Sequence, residues 1–275
     1  MKKIIVPTDF TEVADNALKY ACEMSKFTDS QVNLLHITKS DKDEREAIAK
    51  MKAQASSYTL STPYPIEHNV ISGNIFDDIP GAAKHHHANL VVMGTHGLQG
   101  MQYVVGSNAL RIITDSDVPM LIVQEGTTKT AEVNTILVPL NLHQETKQIL
   151  KIACDTAELF NAEIHLISPQ ESDEFLQNRL ARNTAYAEGY LESRDIAYKT
   201  ITTEGGSGSF IKEVIKYAHY TNIDLICILN FAKDRLIHSF GIDAEQKIIT
   251  NEHNIPVLIV NPRTTYQDAA SIFAQ

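Results

Sequence analysis

Lys3-Ile4-Ile5-Val6-Pro7, near the start of the chain, recurs as Thr135-Ile136-Leu137-Val138-Pro139. Leu18-Lys19-Tyr20-Ala21-Cys22-Glu23 recurs as Leu150-Lys151-Ile152-Ala153-Cys154-Asp155, and Val32-Asn33-Leu34-Leu35 as Ile164-His165-Leu166-Ile167. All three matches share one offset of 132 residues (3 to 135, 18 to 150, 32 to 164). Further on, Leu90-Val91-Val92-Met93 matches Leu225-Ile226-Cys227-Ile228. Val118-Pro119-Met120-Leu121-Ile122-Val123 likewise matches Ile255-Pro256-Val257-Leu258-Ile259-Val260. Ordered matches of this kind mark one duplicated domain rather than a short-period solenoid. A length of 275 residues also suits two domains better than one.

Within each copy the pattern is of strands alternating with helices. Ile4–Val6, Val32–Ile37, Leu90–Met93 and Met120–Val123 are short, continuous apolar runs, the signature of strands buried on both faces. The run 66–71 alternates more and reads as a weaker strand. Between the strands lie helical patterns, for example Ala14, Leu18, Ala21, Cys22 and Ser25 on one face. The fold class is therefore α/β, with two tandem doubly wound parallel sheets of five strands each. The expected domains are residues 1–124 and 134–262, joined by a linker at 125–133 and followed by a tail at 263–275. The final strands, Met120–Val123 and 258–260, would be an aggregation hazard as bare edges, so each is expected to be covered by the other.

Composition narrows the function. Apolar residues make up 43% and charged residues 21%, as in a globular protein with a full core. The net charge of −10, with Lys and Arg scattered, argues against nucleic acid and anionic membranes as partners. The apolar run after Met1-Lys2-Lys3 stops at Pro7, too early for a secretory signal, and no stretch is long enough to span a membrane. Three widely separated cysteines, Cys22, Cys154 and Cys227, form neither a disulfide framework nor a metal spacing, which fits a reducing cytoplasm.

In doubly wound sheets ligands bind beyond the carboxyl ends of the strands, where strand order reverses. Pro7-Thr8-Asp9 follows the first strand. Gly94-Thr95-His96-Gly97 follows the fourth, and Gly106-Ser107-Asn108 then opens a helix. Glycines let backbone N–H groups turn toward an anion, and a helix start adds free N–H groups and the positive end of the dipole. This is a phosphate cradle without a lysine; neither a P-loop nor a Gly-x-Gly-x-x-Gly fingerprint is present. No catalytic set is visible.

Val6-Pro7-Thr8-Asp9-Phe10, Leu34-Leu35-His36-Ile37 and Met93-Gly94-Thr95-His96-Gly97, with Gly106-Ser107 and Pro119, resemble the universal stress protein family. The resemblance covers both halves and implies the tandem two-domain type. It implies flavodoxin-like, adenine nucleotide alpha hydrolase-like sheets packed as a pseudo-two-fold pair, with a homodimer also open to the family. It also implies a site for ATP or another adenine nucleotide, with or without Mg2+, and a role as a sensor, a regulator or at most a slow ATPase in a stress response. Carried over, Asp9 holds the ribose or adenine end, Ile37 offers backbone to the adenine, and Gly94, Gly97, Gly106, Ser107 and Asn108 line the phosphates. Pro7, Thr8, Met93 and His96 complete the expected nucleotide-binding positions. The chain departs from the family pattern by one residue, with eight rather than nine between Gly97 and Gly106. In the second copy Asn141 replaces Asp9, Leu229-Asn230-Phe231-Ala232 replaces the Gly-x-x-Gly, and Gly241-Ile242 replaces Gly106-Ser107, so that copy is expected to bind no nucleotide in this mode. The rival reading is an interaction protein of the same fold that binds no nucleotide.

Plainer readings compete for several residues. Asp9 with Glu12, and Asn141 with Gln144, each fit a capping box at a helix start. His85-His86-His87 point in different directions on a helix and suit its solvated end rather than a metal. Cys22 and Cys154 occupy equivalent positions, which points to packing. Gly205-Gly206-Ser207-Gly208 reads as a turn before it reads as an anion nest.

Overall fold

A computed structural model of the chain describes residues 1–40, 43–96, 98–99, 102–103, 107–140, 146–230 and 242–262. In the first half, β1 (Lys2–Pro7), α1 (Glu12–Thr28), β2 (Ser30–Thr38), α2 (Glu44–Ser56), β3 (Glu67–Ser72), α3 (Ile75–His85) and β4 (Leu90–Thr95) alternate in order. A small backbone hairpin of β5 (Leu98–Gln99) and β6 (Gln102–Tyr103) precedes α4 (Ser107–Asp115) and β7 (Met120–Gln124). The second half repeats the scheme. It comprises β8 (Thr135–Pro139), α5 (Thr146–Phe160), β9 (Glu163–Ser168), α6 (Glu174–Ser193), β10 (Tyr198–Thr202), α7 (Phe210–Tyr220), β11 (Leu225–Leu229), α8 (Ile242–Ile249) and β12 (Val257–Val260).

All the long strands join one ten-stranded sheet, in the order β10-β9-β8-β11-β12-β7-β4-β1-β2-β3. Within each half the strands run parallel. At the centre β12 meets β7 antiparallel, with Val257 opposite Ile122, Leu258 opposite Leu121 and Ile259 opposite Met120. The antiparallel joint is what a two-fold axis perpendicular to the strands produces between like halves, since such an axis reverses strand direction. It also removes the two edges that the sequence marks as hazardous. The weaker run at 66–71 becomes β3, at the outer edge of the sheet, where one side of the ladder is bare and alternation is affordable.

Continuous apolar strands bury both faces. One core cluster gathers Ile4, Leu18, Val32, Val92, Leu121 and, from the second half, Val138, Leu166, Cys227 and Leu258. The opposite face gathers Ile5, Val91, Met120, Ile122, Phe210, Val214 and Ile259. Each cluster thus runs through both halves. The stretch at 125–133 is packed against the second half: Ala131 and Val133 are buried. Thr127 Oγ1 donates to the Asn254 carbonyl at 2.9 Å, and Lys129 Nζ meets Asp224 at 2.9 Å. Among the described residues no helix is long and apolar enough to cross a membrane.

His85 ends α3, His86 caps it, and His87 turns into the left-handed region at φ 51°. Among the described residues no group of three or more His, Cys, Asp or Glu could hold a metal. All three cysteines are buried and free. Burial pushes the Cys22 and Cys154 thiols up to about 12, and drives Cys227 up as well. Thiols with raised pKa stay protonated at pH 8 and do not attack. An aromatic disulfide reagent is therefore expected to label none of the three in the folded protein and all three in denaturant. Rapid labelling of the native chain would show that one of these helices or strands opens.

Candidate functional site

Strand order reverses between β1 and β4, whose next neighbours lie on opposite sides. A cavity of about 400 Å³ opens at the carboxyl ends of β1, β2 and β4, within the size range of ligand pockets. β1 contributes Pro7 and the following Thr8 and Asp9; β2 contributes Leu35, His36 and Ile37; β4 contributes Met93, Gly94 and Thr95, followed by His96. Thr11 adds one polar residue, and the remaining wall is apolar and comes from helices, with Ile75 and Ile79 of α3, Ala109 and Ile112 of α4, and Val13 and Ala14 of α1.

Seven residues singled out in the sequence thus share one cavity: Pro7, Thr8, Asp9, Ile37, Met93, Gly94 and His96. Ser107 and Asn108 are the first two residues of α4, a helix that also lines the cavity. Gly97 and Gly106 lie outside the described residues, as do Asn141, Phe231, Ala232 and Gly241 of the second copy.

The β1–α1 turn is held by its own side chains. Asp9 Oδ1 accepts from the Thr11 N–H at 3.1 Å and from the Thr11 hydroxyl at 2.6 Å. Thr11, not Asp9, caps α1, accepting from Ala14 N–H at 3.3 Å. The capping box read from Asp9 and Glu12 is corrected accordingly: α1 begins two residues later than that reading places it. Asp9 instead ties down the cap residue and keeps its carboxylate at the cavity wall. Between them Phe10 adopts φ 65°, a costly conformation for a bulky side chain. Its ring packs on His36 at 4.6 Å and its N–H donates to Thr8 Oγ1 at 3.1 Å. His36 Nδ1 lies 2.8 Å from the Thr8 carbonyl. A carbonyl only accepts, so Nδ1 carries the proton and Nε2 of the neutral ring is the acceptor.

At β4 the chain comes very close to α1. A Cβ on Gly94 would meet the Val13 carbonyl oxygen, and would stand 2.8 Å from both the Val13 carbonyl carbon and Cγ1. Glycine is needed here for space. Next to it Thr95, 5% exposed, has a buried hydroxyl with no hydrogen-bond partner among the described residues. His96 Nδ1 lies 3.3 Å from Glu125 Oε2 at the half-open rim.

Residues 1–124 match the sequence model of the universal stress protein family. The first half of the chain is a universal stress protein domain. A universal stress protein of Methanocaldococcus jannaschii is 28% identical, over 45% of this chain and 82% of its own length. Universal stress protein G of Shigella flexneri is 25% identical over 45% of this chain and 99% of its own. A universal stress protein crystal structure from Archaeoglobus fulgidus superposes on 95% of this chain and 98% of its own with a TM-score of 0.75. At 18% identity that likeness shows the fold alone, and it shows it for both halves.

The universal stress protein domain contains site elements that the sequence reading passed over. His36 stands inside a string already quoted, yet only the structure shows it bracing the Asp9 turn. Thr95 gave no sign, since an unpartnered hydroxyl is a property of packing. The second half departs at described positions. Leu229, buried, stands where the first half has Gly94, and Asn230, where it has Thr95, donates to Asn261 Oδ1 at 2.8 Å. The glycine-rich turn before α7 is closed on itself, with Ser209 N–H donating to the Gly206 carbonyl at 3.1 Å. Ser207 donates to the Glu171 carboxylate, an unfavourable neighbour for an anion.

Proposed function

We propose that the universal stress protein domain binds one adenine nucleotide in the switch-point cavity and works as a nucleotide-dependent sensor or regulator in a stress response. The observation that carries this reading is the convergence of an apolar cavity, a carboxylate and a helix start at one strand-order reversal. Leu35, Ile37 and Met93 suit a flat base. Asp9, one oxygen of which is engaged by Thr11, suits a ribose hydroxyl. The start of α4 suits phosphate, through backbone N–H groups and the helix dipole, with Gly94, His96, Gly97, Gly106, Ser107 and Asn108 around it. The unpartnered Thr95 hydroxyl in the cavity wall is one further polar group available to a ligand. ATP with Mg2+ is the favoured ligand, the metal supplying the charge that the lysine-free cradle does not. The second half, with Leu229 in place of Gly94, is proposed to serve as scaffold.

Calorimetry with ATP and Mg2+ is expected to give one site per chain. Ser107→Ala, which removes one hydrogen bond to a charged group, is expected to weaken binding by about 1.5–3 kcal/mol, roughly ten- to a hundredfold, with melting unchanged. Two equivalent sites, or no binding by the parent, would overturn the reading.

A further inference from the structure

The residue that follows the central run of each half's last strand reaches across the joint. In β7 it is Gln124, whose Nε2 donates to the Asn251 carbonyl, just past α8, at 3.2 Å. After β12 it is Asn261, whose Nδ2 donates to two carbonyls at the end of α4, Ile113 and Ser116, both at 2.6 Å. Only an NH2 group can donate twice to two carbonyls, so the orientation of this amide is unambiguous. Its Oδ1 is held in turn by Asn230 Nδ2 at 2.8 Å, and Asn230 Nδ2 also lies 3.4 Å from Thr114 Oγ1. The last carbonyls of a helix have no partner within it and need one from outside. In α4 the Ile113 carbonyl accepts the Ser116 N–H at 3.3 Å, and Asn261 from the other half of the chain adds a second donor to it.

α4 is only nine residues long, Ser107–Asp115. Its start borders the cavity, and Ala109 and Ile112 form part of the wall. One end is therefore held by the second half while the other borders the cavity. We infer that Asn261 is a positioning residue for the nucleotide site, holding α4 so that its first-turn N–H groups meet the phosphate. The second half, lacking the site pattern itself, then sets the affinity of the first. This inference rests on the nucleotide reading and adds a residue about 150 positions away in sequence (261 against 107).

The test compares ligands with and without phosphate in the full-length chain. Asn261→Asp puts a carboxylate against two carbonyls at the negative end of a helix; Asn261→Ala only removes the donor. In both, AMP affinity is expected to fall about tenfold, on the scale of one hydrogen bond, while adenosine, which does not touch the helix start, falls less than about threefold. Gln124→Ala, which removes the mirror contact on α8, is expected to leave AMP affinity at the parent's value. Equal losses for AMP and adenosine, or full AMP affinity in both Asn261 variants, would reduce Asn261 to a structural brace and overturn the inference while leaving the nucleotide reading intact. A parent protein that binds neither ligand would overturn the nucleotide reading itself.

Discussion

Gly94→Ala is expected to lower both stability and nucleotide affinity, although replacing glycine usually helps a folded chain. Away from positive φ, the exchange restricts the unfolded state and stabilises by about 0.4–1 kcal/mol. At Gly94 the added methyl meets α1 backbone, with the Val13 carbonyl carbon 2.8 Å away. Backbone in a helix's first turn cannot swing aside as a side chain can. The expected net cost is about 1–3 kcal/mol, the range for overpacking a filled interior, and it outweighs the entropic gain. Parting β4 from α1 also shifts the Asp9 turn relative to Met93 and widens the cavity between them, so affinity falls with stability. Urea denaturation and calorimetry on one preparation check both. A variant that melts at or above the parent temperature would show that β4 and α1 are not in contact at this point.

Leu258→Asp is expected to do more damage. Leu258 sits opposite Leu121 at the antiparallel joint, and both are almost fully buried. The new carboxylate would have no cation beside it among the core residues of that face, which are apolar. An uncompensated buried charge costs about 3–5 kcal/mol, a large part of the stability of an ordinary domain. Leu258→Met keeps volume and polarity and should cost under about 1.5 kcal/mol. The denaturation midpoint should fall steeply for Asp and little for Met. Partly opened chains would also expose the β7 edge, so the Asp variant should aggregate on heating at concentrations where the Met variant stays clear. Equal midpoints for the two would mean that β7 and β12 do not share a buried joint.

Much of this architecture is legible in the sequence because parallel strands covered on both faces must be apolar throughout. Ile4–Val6 and Leu90–Met93 announce themselves, and their recurrence places the second half. That Met120–Val123 is covered by its counterpart also follows from its bare apolar run. The register that sets Leu258 against Leu121 does not follow, because strands four or five residues long and uniformly apolar fit together equally well after a slip. The site divides in the same way. Residues at strand ends are readable, since topology alone carries Asp9, Ile37 and Gly94 to one place. The wall supplied by Ile75, Ile79, Ala109 and Ile112 looks like ordinary helix core in the sequence, and only the structure shows these residues lining a space. Thr11 was hidden as a cap because Asp9 and Glu12 match the familiar spacing, whereas Thr11 and Ala14 offer only half of it. The sequence pattern offers Gly94 as a phosphate contact, and the backbone of α1 demands glycine there as well.

The joint between β7 and β12 has a consequence for how such a chain can evolve. In a dimer of identical subunits every substitution arrives twice, once on each side of the axis. A change that improves the grip on a neighbouring helix therefore alters both ligand sites together. Fusion of the copies removes that symmetry. Gln124 and Asn261 already differ, each fitted to the helix it meets. One copy can then drift toward bracing and the other keep its pocket, with selection acting on each separately while the shared sheet holds them in one fold.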